Sequence, residues 1–373
     1  MIPHRSRKFV APSHKGQNLK TNRAFYIVTD NEASELDPSS KKTAYKRMNV
    51  RVAIIQAAPV WMDLEASVIK LAKLVEAAAK KGAQLVVLGE TWLPGYPAWL
   101  DYCPGAALWD HAPTKEVFAR LRQNSVVVPG TETRLLGKLA ADLKLTLVIG
   151  VNEKVETGPG NGTLFNALLT FNHNGKLANH HRKLVPTYTE RIVWGQGDGS
   201  GLQSTPTPLG RLGGLICWEH WMPMARQALH LAGEHIHVAV WPTVHEMHQL
   251  ASRHYAFEGR CFVLAAGLIM RAKDLPDELR PVPHLNRDRQ AFVLRGGSAI
   301  IGPDGRYVVE PVFDRETTVS AELDLTAIDR EKMTLDVSGH YNRPDIFDFT
   351  LRKETRRRGS LTTSRAKRAS TKR

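Results

Sequence analysis

At 373 residues, 42% hydrophobic and 24% charged with three cysteines, the chain excludes disordered, fibrous and disulfide-stapled architectures and fits a globular fold of one large or two modest domains. Its net charge of +14 invites a nucleic-acid reading, but residues 1–47 hold 10 basic and 4 acidic side chains, residues 351–373 hold 10 and 1, and the 48–350 section, with 31 and 32, is balanced. A folded nucleic-acid binder carries its basic patch on the domain itself, so nucleic acid is not expected as a partner.

The N-terminus, MIPHRSRKFVAPSHKGQ, has no apolar h-region and does not read as a secretory signal. No run of about 18 apolar residues is present to span a membrane. With so few cysteines, a reducing, cytoplasmic compartment is expected. Residues 1–47 are polar, lack apolar periodicity and read as a basic, loosely ordered leader. Met48 directly precedes a strong strand, so the leader also reads as an over-extended reading frame.

Val50 to Ala57 is a near-continuous apolar run closed by Pro59, which suits a buried strand. From Asp63 to Lys81 the apolar residues Leu64, Val68, Leu71, Val75 and Ala78 keep helical spacing, with Asp63 placed as N-cap and Gly82 just past the end. Strands are predicted over Ala83–Leu88, Leu145–Val151, Thr163–Phe171 and, after the Asn174-Gly175 turn, Lys176–Arg182. Further strands fit Arg211–Ile216, His235–Val240, Phe262–Leu268, Ala299–Ile301 and Arg306–Val309, the last pair turned by Pro303-Asp304-Gly305. Helices fit Met222–Ala232, Met247–Arg260 and Thr326–Leu335. The alternation predicts one α/β domain over 48–345, between the leader and a basic tail over 346–373.

Three chemistry-bearing residues fall at exits of predicted strands. Cys217 ends Arg-Leu-Gly-Gly-Leu-Ile just before a helix start, a position that exposes a sulfur and offers backbone N–H groups favouring a thiolate. Core packing explains a lone cysteine equally well. Glu90 follows the strand ending at Gly89, where α/β sheets place their active sites and where partial burial makes a carboxylate a competent base. Lys183 follows His181-Arg182; alone it reads as a solvated rim lysine. If the three strands are adjacent and share polarity, the carboxylate, ammonium and thiol converge. Of the other cysteines, Cys261 reads as core and Cys103, in a Pro/Gly-rich loop, stays undecided.

The order Glu, Lys, Cys in these settings resembles the nitrilase superfamily of carbon–nitrogen hydrolases over roughly Val50 to Asp345. The resemblance is carried by Gly89-Glu90-Thr91-Trp92-Leu93-Pro94-Gly95-Tyr96-Pro97, His181-Arg182-Lys183-Leu184-Val185-Pro186-Thr187, Cys217-Trp218-Glu219-His220-Trp221-Met222-Pro223 and Gly339-His340-Tyr341-Asn342-Arg343-Pro344-Asp345. The last two are similar to the true nitrilase branch rather than its amidase or carbamoylase relatives. The resemblance implies a four-layer αββα sandwich, with Cys217 as nucleophile, Glu90 as general base, Lys183 as the cation beside the intermediate and Glu190 as a second structural or catalytic glutamate. It implies hydrolysis of an organic nitrile to acid and ammonia with no metal or organic cofactor. It also implies homodimers that bury sheet-flanking helices and extend into spiral filaments. Tyr96, Trp218 and His220 are expected to shape the substrate pocket, though aromatic packing explains them as well. Cyanide hydrolysis and amide or carbamoyl hydrolysis by the same triad stay open. So does a non-catalytic binding protein that uses its basic ends.

Other signals point to structure. His245-Glu246-Met247-His248-Gln249 has Gln where a zinc protease needs its second His, and His235, His237, His245 and His248 read as strand and loop histidines. Residues 195–201 lack dinucleotide-loop spacing and are expected to form a flexible loop near the pocket. The Gly130 and Gly137-Lys138 pattern misses the phosphate-loop spacing. The sequon Asn161-Gly162-Thr163 is idle in a cytosolic protein.

Overall fold

The computed structural model describes residues 49–158 and 160–353. The leader over 1–47, Met48 and the tail beyond 353 lie outside the described residues, all of which belong to one unit, Arg47–Arg373.

Two sheets stand face to face. The first takes β1 (Asn49–Gln56), β2 (Leu85–Leu88), β3 (Thr146–Lys154), β4 (Leu164–Phe171) and β5 (Leu177–Arg182) in spatial sequence, with β13 (Thr317–Asp324) outside β1. Strands β1, β2 and β3 are parallel; β4 and β5 follow antiparallel, so β5 regains the polarity of β2. The second sheet runs from β6 (Thr205–Thr207) through β7 (Gly210–Ile216), β8 (Ile236–Val240), β9 (Phe262–Ala266) and β11 (Phe292–Ile301) to β10 (Ile269–Arg271), with β12 (Tyr307–Phe313) also on β11. Its β7, β8 and β9 are parallel.

The alternation of side chains across each strand explains the layering. Val52, Ile54, Val87, Val148 and Leu168 of the first sheet share one core with Leu215, Val238, Leu264 and Ile300 of the second. The opposite face of the first sheet, with Ala53, Ile55, Val86, Leu88 and Ile149, takes Leu71 and Val75 of α1 (Leu64–Lys80). The same face takes Leu136 and Ala140 of α4 (Thr131–Asp142). Helices α5 (Pro223–Leu231) and α6 (Glu246–Gly259) cover the second sheet through Leu229, Ala251 and Tyr255. The result is the expected helix–sheet–sheet–helix sandwich. The remaining helices are short or peripheral: α2 (Trp99–Tyr102), α3 (Ala112–Gln123), α7 (Pro283–Arg287) and α8 (Thr326–Lys332).

Local signals hold where expected. The Asp63 carboxylate accepts from the Ala66 N–H at 2.9 Å and caps α1. Gly82 turns the chain at φ +84°, a conformation open to glycine. Of the elements not anticipated, three are long enough to need an account. Helices α3 and α4 bury only narrow stripes, Val117 with Leu121 and Leu136 with Ala140, so their apolar periodicity is faint. Strand β13 is an edge whose Val319 and Leu323 are its buried residues; pairing with β1, register Asn49↔Asp324, defines it. Phe349 and Leu351 pack against the inter-sheet core, so ordered packing continues past residue 345. The 195–201 segment, expected to be a loose loop, is pinned to β5: the Gly197 N–H donates to the Lys183 carbonyl at 2.8 Å, and Asn179 Nδ2 donates to the Gly201 carbonyl at 3.0 Å.

Candidate active site

The carboxyl ends of β2, β5 and β7 deliver Glu90, Lys183 and Cys217 to one place. The strands are not neighbours, contrary to the simplest expectation. Strands β3 and β4 separate β2 from β5, and β7 lies in the opposite sheet. Convergence comes instead from shared polarity of β2 and β5 and from the length of the lysine and glutamate side chains. Gly150 on β3 allows the Glu90 turn to approach, since a Cβ there would overlap the Thr91 nitrogen and the Gly89 oxygen.

The Lys183 ammonium donates to Glu90 Oε1 at 3.1 Å and to Glu190 Oε2 at 2.7 Å. All three residues are at most 3% exposed. Asn166 Nδ2, from β4, donates to the same Glu90 oxygen at 2.7 Å. Glu90 Oε2 has no hydrogen-bond partner. Glu190 accepts from Tyr96 OH at 2.9 Å and from the Thr187 N–H at 2.7 Å, which ties it into the segment after β5. Cys217 Sγ and one oxygen from each of Glu90 and Glu190 all lie within 4.8 Å of one another. Two carboxylates and a sulfur at that spacing resemble a cation site, and the Lys183 ammonium already supplies the positive charge there by binding both carboxylates.

The electrostatics follow from burial. Burial pushes the Glu90 carboxyl up to about 7, against the pull of the Lys183 charge, and the Glu190 charge adds to the rise. Burial works against the Lys183 ammonium, but Glu90, Cys217 and Glu190 outweigh it and hold the group well above the usual lysine range. Burial also pushes the Cys217 thiol well up, and the Glu90 charge adds to it; Lys183 and the Trp218 N–H pull the other way. The expected helix-terminus stabilisation of a thiolate is therefore outweighed in the resting site. Sulfur begins as a thiol beside a carboxylate able to take its proton.

Cys217 opens a 3₁₀ turn, Cys217–Trp221, with φ +53°, a left-handed conformation strained for a residue with a Cβ. The Glu219 carboxylate secures this turn. It accepts from the Ile216 N–H at 2.7 Å, from the Leu184 N–H at 2.8 Å and faces His181 Nε2 at 2.9 Å. One side chain thus joins the residue before Cys217 to the residue after Lys183, across the two sheets. His181 first, then the hydrogen bonds, overcome burial and keep Glu219 below the usual glutamate range.

A cavity of about 860 Å³ opens onto Cys217. Tyr96, Glu190 and Trp218 line it, as do Val185, Tyr188, Trp221, Met222 and Leu294. His220 does not. It is 2% exposed, stacks on Trp241 and turns Nδ1 to the Cys217 carbonyl, so its expected place in the pocket wall is corrected to a place behind it. His245 and His248 do line the cavity, contrary to a purely structural reading of that motif. Sequence reasoning missed them, and missed Asn166 and Glu219; a polar Asn within the apolar run Leu164–Phe171 was the one available signal for Asn166. Cys103 and Cys261 are buried and unpaired, as Cys217 is.

The family model for carbon–nitrogen hydrolases matches residues 51–332. An aliphatic nitrilase of Sinorhizobium fredii (strain HH103) is 39% identical over 307 residues, covering 82% of this chain and 96% of its own. Nitrilase 2 of Arabidopsis thaliana is 37% identical over 305 residues, covering 81% and 88%. A carbon–nitrogen hydrolase from Helicobacter pylori G27 shares the fold, with a TM-score of 0.63 at 20% identity over 80% of this chain and 97% of its own. A member of branch 10 of the nitrilase superfamily from Saccharomyces cerevisiae does so with a TM-score of 0.58 at 21% identity, covering 79% and 97%.

Proposed function

The chain belongs to the carbon–nitrogen hydrolase family, in its nitrilase branch, and on that premise we propose that it is a nitrilase: an organic nitrile plus two waters gives a carboxylic acid and ammonia. One observation carries the reading. A buried thiol, two carboxylates and the ammonium that links those carboxylates meet at the base of a cavity large enough for an organic nitrile.

The chemistry follows from the charges. Glu90, with one oxygen unpartnered and its carboxyl raised to about 7 by burial, takes the Cys217 proton as Sγ attacks the nitrile carbon. The nitrile nitrogen gains negative charge, which the Lys183 ammonium and the Trp218 N–H face, and it is protonated to a thioimidate. Glu90 then activates water, the tetrahedral adduct expels ammonia, and a thioester remains. A second water releases the acid and restores the thiol. Glu190 holds Lys183 in register and shares its charge. If the tetrahedral adduct expels Cys217 Sγ instead of ammonia, an amide leaves.

Tyr96 and Trp218 contact substrate from the cavity wall. The apolar lining and volume favour a nitrile with an apolar body over cyanide. Met224, Leu231, Met247 and Leu250 on α5 and α6 are all more than a third exposed, which supports a homodimer burying these helices and its extension into a spiral filament. Three unpaired cysteines support a reducing, cytoplasmic setting. Among the described residues no helix is long and apolar enough to cross a membrane. Ammonia release across cyanide, aliphatic, aryl and arylacetic nitriles and the matching amides tests the reading. Turnover confined to nitriles supports it, and turnover confined to amides overturns it.

A further inference from the structure

Behind Cys217, away from the cavity, a chain of buried polar side chains runs between the second sheet and helices α5 and α6. His220 Nδ1 lies 2.7 Å from the Cys217 carbonyl oxygen. His220 Nε2 lies 3.0 Å from His237 Nε2, and His237 Nδ1 lies 2.9 Å from Glu234 Oε2. Tyr255 OH donates to the other Glu234 oxygen. None of the four side chains is more than 2% exposed. Gly213 on β7 makes room for the chain, because a Cβ there would overlap Glu234 Oε2. The hydrolysis described above uses none of these groups.

Hydrogen-bond polarity determines where the protons sit. A carbonyl only accepts, so His220 Nδ1 carries hydrogen. Burial holds His220 and His237 well below the usual histidine range, leaving each ring neutral with one hydrogen. His220 Nε2 is then a lone pair, and His237 Nε2 must donate to it. That leaves His237 Nδ1 as an acceptor facing Glu234 Oε2, which must itself be protonated. Burial pushes the Glu234 carboxyl up to about 7, against the pull of His230 and Tyr255, which agrees with this assignment. Loss of that one proton moves a hydrogen to His237 Nδ1. His237 Nε2 and His220 Nε2 then oppose lone pairs, and relief strips the Cys217 carbonyl of its donor.

We propose that Glu234, His237 and His220 are positioning residues for the nucleophile, a one-proton relay that holds the Cys217 carbonyl and with it the left-handed turn that aims Sγ at the cavity. The proposal rests on the reading of Cys217 as nucleophile.

The surrounding charged groups are otherwise engaged. From α5 and α6, Arg226 and His230 bind Glu258 at 2.7 and 3.1 Å. His230 Nδ1 lies 3.8 Å from Glu234 Oε1, beyond hydrogen-bond reach. Towards the first sheet, His181 binds Glu219. His248 stacks on Trp241, on which His220 also stacks. The Cys261 thiol, just before β9, is pushed well up by burial and then by Glu234, so it stays neutral beside the relay.

The test is steady-state nitrile hydrolysis by the full chain between about pH 6 and 9.5, read as kcat and KM. His220→Phe keeps a ring and removes the donor; kcat is expected to fall about tenfold or more with KM within about twofold. His220→Asn retains a donor near the Nδ1 position and is expected to recover at least about threefold of that loss. Glu234→Gln donates as the protonated acid does and cannot titrate. It is expected to keep kcat within about threefold at pH 7 and to erase the alkaline fall in kcat that the relay predicts for the parent enzyme. A His220→Phe kcat within about twofold of the parent, or an alkaline fall that persists unchanged in Glu234→Gln, overturns the relay. Because Glu234→Gln is nearly isosteric, its profile decides the matter even if His220→Phe fails to fold. Failure of the relay leaves hydrolysis dependent on Cys217, whereas failure of the nucleophile reading appears as turnover in Cys217→Ala.

Discussion

The Lys183 ammonium lies 3.1 Å from one oxygen of Glu90 and leaves the other oxygen of that carboxylate without a partner. A base held by one oxygen and free at the other is fixed in place yet still able to take a proton from Cys217, whose sulfur lies within 4.8 Å of it. The proposed catalytic cycle depends on this arrangement.

If Glu90 is the base, as proposed, its raised carboxyl is expected to set the acid limb of the activity profile. Because the base form is the anion, kcat/KM is expected to rise about tenfold per pH unit up to about pH 7; above that it is expected to level in Glu234→Gln and to fall in the parent as Glu234 loses its proton. Glu90→Gln is expected to lower kcat by about 10² or more. A flat profile between pH 5 and 7 speaks against Glu90 as the base.

The same group has a stability signature. Folded Glu90 binds its proton more tightly than an ordinary glutamate near 4.5, so its favourable contribution is full below about 4.5 and is lost as pH rises through about 7. Glu90→Gln removes that loss. Its melting temperature relative to the parent is expected to climb between pH 5 and 8, measured by calorimetry; a constant difference contradicts the shift.

Lys183 is the counter-ion of two buried carboxylates. Lys183→Met leaves both unpaired and is expected to cost about 3–5 kcal/mol in denaturant unfolding, as well as activity. Lys183→Arg keeps the charge but not the compact geometry, and activity is expected to be lost with a smaller stability cost. Full activity in Lys183→Arg contradicts the role given to the ammonium.

Substrate size should register in the apolar cavity. Along a homologous series of straight-chain nitriles, each added methylene that finds a place against Trp218, Trp221 or Leu294 is worth about 0.8 kcal/mol, or about fourfold in kcat/KM. A series that peaks at cyanide or acetonitrile contradicts the cavity argument.

Much of this site was legible in the sequence because its key groups stand at strand ends. Glu90 and Cys217 each follow an apolar run that reads as a strand, Lys183 follows a polar strand signalled by the Asn174-Gly175 turn, and polarity brings such ends together. What holds them was not legible. Asn166 on β4 and Glu219, which reaches Leu184 and Ile216 at once, act between segments far apart in the chain. Strand adjacency was equally hidden: β13 meets β1 across most of the chain, and β7 lies in a different sheet from β2 and β5. His220 illustrates the reverse error. It was expected with Tyr96 and Trp218 in the pocket wall, but it is buried behind Cys217 with Nδ1 turned to the Cys217 carbonyl. His245 and His248 lacked any metal pattern, and their position on the cavity depends on how α6 begins after β8.

The most direct measurement is peptide mass analysis of enzyme quenched in acid during turnover of a slowly hydrolysed nitrile. The account predicts an acyl or imidate adduct on the peptide that carries Cys217, and neither adduct nor ammonia release from Cys217→Ala. An adduct on Cys103 or Cys261, or ammonia release that continues without the Cys217 sulfur, would contradict it.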